Sequence, residues 1–137
     1  MSKLLNDREL GKYDVLLASK ELAGYTIKLT QNEKNFPKRY RLSVTNKIQD
    51  KAIEIVDCLI MAQEIFPNTR LEYQQRQLYQ KQARAACRSM MALIEIAADT
   101  FGVKAGTFQY WTKEATELKN HLTAWIMSDQ QRFHNLK

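Results

Sequence analysis

Residues 69–101 read TRLEYQQRQLYQKQARAACRSMMALIEIAADTF, and this stretch decides the fold. Pro67 lies just before it, Gly102 just after it, and neither residue type occurs inside it. As one helix it runs roughly 50 Å at about 1.5 Å per residue. Thr69 with Glu72 three residues on is a capping-box pattern that predicts the start, and Gly102 predicts the stop. The two halves differ. The first is wet, with Gln74, Gln75, Gln77, Gln80 and Gln82 among Arg70, Arg76, Lys81 and Arg84. The second, residues 85–98, is apolar at eleven of fourteen positions. One stripe there is Ala86, Met90, Leu93, Ala97. The next is Cys87, Met91, Ile94, Ala98, Phe101, and both step by four and three, the spacing of packed helices. One bundle core covers one stripe, so the second predicts a partner chain.

Outward from this helix, three more amphipathic segments follow the same period. About residues 7–31 read as helix one after a loose start over 1–6, with Val15, Ala18, Leu22, Tyr25 and Leu29 as its stripe. Residues 32–41 read as a linker broken at Phe36-Pro37, because proline disfavours helix at the residue before it. Helix two is expected over about 43–66, with Ile48, Ala52, Ile55, Leu59, Ala62 and Phe66 on one seam and Ile53, Val56 and Ile60 beside it. Pro67-Asn68 is a tight turn, which predicts antiparallel neighbours. Residues 102–106 are a short loop. Thr107 is the expected cap of helix four, which reaches about His134 with Phe108, Trp111, Ala115, Leu118, Leu122 and Trp125 on its stripe. No strand-like alternation or repeat occurs. The pattern predicts one all-α domain, an antiparallel up-down four-helix bundle over 1–137.

The chain has 137 residues, a net charge of +6 and a pI near 9.4, a balance that favours polyanionic partners. Cys58 and Cys87 sit in apolar helical stretches and read as buried free thiols. Charges through the first thirty residues predict no secretory signal, and no apolar run approaches the 18 or so residues of a membrane span. The expected location is cytoplasmic. Catalytic chemistry finds no support. Glu114, Glu117 and His121 share a face of helix four and invite a di-metal reading. Bundle di-iron sites, however, pair Glu and His three apart on two helices, and here the spacing is four and no second helix has a histidine. A solvated face is the better account. Glu95, alone among apolar residues, is expected to pair with a cation on a neighbouring helix. There is no phosphate-cradling glycine loop, no nucleophile elbow and no Cys-x-x-Cys. No cofactor and no metal are expected.

The informative chemistry is cationic. Lys34, Lys38, Arg39, Arg41 and Lys47 fall in fourteen residues without an acid. Arg76, Lys81, Arg84 and Arg88 have no acid from Tyr73 to Ile94. Lys81, Arg84 and Arg88 step three and four, so they share one face, and charges in register on a rod track a phosphate backbone. Tyr40, Tyr73 and Tyr79 lie nearby and suit base stacking. The candidate nucleic-acid contacts are therefore Lys38, Arg39, Arg41, Arg76, Lys81, Arg84 and Arg88, weighed against an ordinary solvated surface. If Arg84 and Arg88 are structural instead, Glu54 or Glu64 on helix two are the expected partners.

The segment Phe36-Pro37-Lys38-Arg39-Tyr40-Arg41-Leu42, running into helix two, resembles the lead-in of the four-helix-bundle accessory proteins of diversity-generating retroelements, the accessory variability determinants. Tyr110-Trp111 and Leu122-Thr123-Ala124-Trp125-Ile126 are similar to that family's closing helix. Thr123-Ala124 stand where many members carry two glycines. The resemblance spans about residues 13–132 and extends in fold to proteins encoded in intervening sequences of bacterial ribosomal RNA genes. It implies a basic homopentamer that binds a reverse transcriptase and its structured template RNA or RNA/DNA hybrid, without being the polymerase. An intervening-sequence protein with weak RNA affinity is the alternative. A reverse transcriptase gene and a template/variable repeat pair alongside would separate the two.

Overall fold

The computed structural model describes residues 13–137, and the expected start of helix one at residues 7–12 lies outside them. Four helices make up the described chain: α1 Val15–Thr30, α2 Asn46–Gln63, α3 Arg70–Phe101 and α4 Ala105–Arg132. α1 packs on α2, α2 on α3, α3 on α4, and α4 closes back onto α1. Among the described residues there is no strand, and no helix is long and apolar enough to cross a membrane.

α3 forms as its sequence dictates. Thr69 Oγ1 accepts the Glu72 amide at 3.1 Å while the Glu72 carboxylate accepts the amides of Asn68 and Thr69, so both arms of the capping box are made. At the far end Gly102 takes φ +74, a left-handed conformation that a side chain would strain. The expected stripe Ala86, Met90, Ala97 is buried, with Leu93 packed against the core.

The second stripe has a different fate from the one expected. Cys87 and Ile94 are fully buried within the single chain, and the Cys87 thiol donates to the Ala115 carbonyl of α4 at 3.2 Å. α3 lies between α2 and α4, so one chain buries Cys87 and Ile94 and covers Met91, Ala98 and Phe101 in part, and this stripe does not by itself require a partner. The apolar side chains left in solvent on α3 lie on another face, with Leu71 68% and Leu78 56% exposed.

α1 begins at an Asp14 cap, whose carboxylate accepts the Leu17 amide at 3.0 Å. Of the expected stripe Leu22 is buried, but Val15, Ala18, Tyr25 and Leu29 pack only partly, and the rest of the buried side is Ser19, Ala23, Thr26 and Thr30. The hydroxyls are tolerated because each is bonded. Ser19 donates to the Leu16 carbonyl at 2.7 Å. Thr30 donates to the Thr26 carbonyl at 2.7 Å and accepts from Gln49 of α2 at 2.7 Å. Thr26 accepts the Trp111 indole N–H of α4 at 3.0 Å, which fixes the larger buried ring.

The linker is shorter than expected. A 3-10 turn at Lys38–Tyr40 and a π-helical turn at Arg41–Thr45 lead directly into α2. Phe36 is buried in the core and anchors this segment, so it does more than mark a break. Ile48, Ala52, Ile55, Leu59 and Ala62 form the seam of α2, but the helix stops at Gln63 and leaves Phe66 79% exposed. α4 starts at Ala105 after Lys104, two residues before the expected cap, so Thr107 lies inside the first turn. Trp111, Ala115, Leu118 and Leu122 are fully buried on its stripe.

Candidate nucleic-acid interface

The seven candidate cations fall into three environments. Lys81 and Arg88 are exposed on α3. Arg84, beside them, is half-buried, and its Nη1 donates to Thr123 Oγ1 of α4 at 3.3 Å. Among the described residues none of the three has a carboxylate within ion-pair distance. Glu54, one of the two partners considered, instead meets Lys51 at 3.2 Å. Glu95 is exposed and, among the described residues, makes no ion pair, so its expected bridge is absent.

Arg76 does not belong to this surface. It is 6% exposed, and its Nε donates to Asp129 Oδ2 of α4 at 2.7 Å. Its Nη1 donates to the Ile65 carbonyl at 3.0 Å, and the guanidinium lies over Trp125 with 5.1 Å to the ring centre. Gln80, also buried, donates to the same Asp129 oxygen at 2.7 Å. Arg76 is therefore spent on holding α3 to α4 and is withdrawn as a phosphate contact. All three of its nitrogens are engaged, by Asp129 and the Ile65 carbonyl, and it is too buried to reach a phosphate. Tyr73 is buried as well and cannot stack on a base.

Sequence reading missed this network because Arg, Gln and Asp look like a solvated face. The spacing carried the signal. Tyr73, Arg76, Gln80, Ala83, Cys87, Met90, Ile94 and Ala97 are all buried, and they step three and four without a break.

Lys38, Arg39 and Arg41 are exposed on the turn before α2. Arg41 bonds Glu33 at 2.9 Å, an exposed pair of small net worth. Tyr40 of this turn stacks on Phe101, the last residue of α3. Arg88 lies thirteen residues from Phe101, roughly 20 Å along the helix. The fold thus keeps the two basic clusters apart.

The acids gather elsewhere. A groove of about 600 Å³ between α1 and α4 is lined by Glu21, Glu114 and Glu117 with Tyr13, Tyr25 and Tyr110. Burial pushes the Tyr13 phenol up, and Glu117 and Glu114 push it further. His121 stacks on Tyr13 with ring centres 3.8 Å apart, and its Nδ1 lies 3.0 Å from the Glu117 carbonyl. Among the described residues no three His, Cys, Asp or Glu side chains converge as metal ligands. The thiols are not poised for attack, since burial raises Cys58 and takes Cys87 up to about 11. This groove holds three carboxylates, whereas Lys81, Arg84 and Arg88 meet no carboxylate among the described residues.

No family model, curated protein or solved structure matches this chain.

Proposed function

We propose that the chain is a non-enzymatic, nucleic-acid-binding accessory protein of the kind implied by its resemblance to the diversity-generating retroelement proteins. It binds a reverse transcriptase and its structured template RNA or RNA/DNA hybrid in the cytoplasm, as a cyclic homo-oligomer of up-down bundles. The observation that carries this reading is the outward register of Lys81, Arg84 and Arg88, which meets no carboxylate among the described residues. Up-down topology is supported by contact order: Arg76, Arg84 and Cys87 ascend α3 while their partners Asp129, Thr123 and Ala115 descend α4. Exposed Leu71, Leu78 and Phe66 offer apolar area for association.

Fluorescence anisotropy with a structured RNA and a hybrid duplex, over a salt series, tests the reading. Log affinity falls against log salt with a slope of about −0.7 to −0.9 per phosphate contact. Base specificity is low, because phosphate contacts position without reading sequence. Absence of binding at low salt overturns it. Light scattering at micromolar concentration yields a mass several times 16.0 kDa, and a monomer there removes the oligomer.

A further inference from the structure

A column of planar groups runs from the core to the surface at the end of the bundle where the chain enters α2. Trp111 is fully buried and bonded to Thr26. Phe36 meets Trp111 edge-on at 5.9 Å and Phe101 at 5.8 Å between ring centres. Phe101 in turn stacks on Tyr40 at 5.0 Å and 25°. The Arg39 guanidinium lies over the Tyr40 ring, 5.1 Å from its centre. Arg39 itself is exposed and, among the described residues, has no ion-pair partner. The column therefore ends in a planar cation facing solvent. Lys34, Lys38 and Lys47 are exposed nearby in sequence, and Leu42 is 82% exposed three residues on.

We propose that this end of the bundle is a stacking platform for single-stranded RNA. A base in a duplex is already covered on both faces and presents only edges and phosphates. An unpaired base has a free face, and a guanidinium plane backed by an aromatic ring is a surface on which such faces stack. Tyr40 is held by Phe101 and needs no ordering when a base arrives. The lysines supply phosphate contacts, and Leu42 supplies an apolar edge. Arg41, held by Glu33, is secondary. The proposal rests on the reading that the chain binds nucleic acid, but it names a different place from the α3 register and a different class of strand.

The test compares three short labelled probes on the full chain by anisotropy: an oligouridylate, an abasic strand of equal charge, and an RNA duplex. The oligouridylate binds at least roughly fivefold more tightly than the abasic strand, the lower end of what one stacked base contributes. Arg39→Ala and Arg39→Lys both erase that ratio, and the lysine variant keeps the salt slope, because an ammonium retains charge without a plane. Lys81→Ala/Arg88→Ala weakens both strands and leaves the ratio intact. Thermal melting confirms that the exposed Arg39 variants fold. Equal affinity for the base-bearing and abasic strands overturns the platform, as does an unchanged ratio in Arg39→Ala. If RNA binding depends on Lys81 and Arg88 while that ratio is one, the platform alone is wrong. If no probe binds at low salt, both readings fall.

Discussion

From Tyr73 to Ala97 one seam of α3 steps into the core by threes and fours, with Ala86 buried beside it, but its chemistry changes near Ala83. Before it the seam is Tyr73, Arg76 and Gln80, with Arg76 and Gln80 both bonded to Asp129 of α4. After it the seam is Cys87, Met90, Ile94 and Ala97, held by shape. The dry half is stabilised by area removed from water, which any well-fitting apolar group supplies. The polar half is stable only as a complete set. Each bond there offsets the desolvation of a group that has nowhere else to turn. The set is not quite closed, since Gln80 Oε1 is buried without a partner among the described residues. This contrast predicts different responses to the same kind of damage.

The largest expected effect is at Asp129. Asp129→Ala leaves the Arg76 cation buried and unmatched, and costs about 3–5 kcal/mol in a denaturant titration. Replacing Arg76, Gln80 and Asp129 together with leucine recovers most of that loss, because the charge and its partner leave at once. If the single and triple variants are equally unstable, the contribution of this half comes from volume, and the contrast with the dry half disappears.

The dry half responds to alkali. Burial raises the Cys87 thiol from an ordinary 9.0 to about 11. A raised acid is neutral in the folded state, so its contribution is complete below pH 9 and is lost as pH climbs toward 11. The thiol's share of this loss reaches up to about 3 kcal/mol, from roughly two units at about 1.4 kcal/mol each. Cys87→Ala is less stable at neutral pH but has a flatter alkaline limb. An unchanged limb in that variant assigns the alkaline loss to other groups. Buried Tyr73 and partly buried Tyr13 are the first to test, since both are also raised by burial.

Smaller still is the cap that begins the polar half. Thr69→Ala removes the acceptor for the Glu72 amide and costs about 1 kcal/mol, read as a lower melting temperature. Glu72→Gln keeps the return bonds to Asn68 and Thr69 and loses less. If the two variants lose the same amount, the charge of Glu72 at the helix start matters more than the box geometry.

Legibility in the sequence divides along the same line. α3 could be placed to the residue because its signals are local: Thr69, Glu72 and Gly102 act on their own backbone. The stripes of α2 and α4 were equally plain, since apolar side chains at alternating steps have one common destination. Arg76 and Asp129 were not legible by residue type. Fifty-three positions separate them, and only the fold shows that each lies on the other's seam. Their spacing pointed inward while their chemistry pointed outward, and for these two the spacing was right. The burial of Ser19, Thr26 and Thr30 on α1 escaped for the same reason. A hydroxyl is read as wet until its acceptor is known. The exposed cations were found because their stretches hold no acid, although Glu33, just outside one of them, pairs with Arg41, and the separation of the α3 register from the Arg39 turn needed the packing of Tyr40 on Phe101.

The smallest stability effect is expected where the rhythm faces outward, and it separates Arg84 from Arg88. Both were grouped with Lys81 on one face, yet Arg84 is half-buried against Thr123 while Arg88 is exposed. Arg88→Ala exposes no unpaired acid and removes one like charge from a cationic face, so its stability changes by less than about 0.5 kcal/mol. Arg84→Ala loses packing of its aliphatic stem and one hydrogen bond, and costs about 1 kcal/mol. Nucleic-acid affinity orders differently. Removing Arg88 weakens binding across sequences alike and flattens the salt slope by up to about one unit, as expected for a phosphate contact. Removing Arg84 has the smaller effect on binding, because Thr123 holds part of its donor set. Melting curves and salt-dependent anisotropy on the two single variants make the comparison. If Arg88→Ala melts early and binds normally, the outward face of α3 serves the fold, and nucleic acid must be sought at the Arg39 turn. If Arg84→Ala proves the more damaging to binding, the Thr123 contact orients the guanidinium toward phosphate, and Thr123→Ala would then lower affinity without touching a charge.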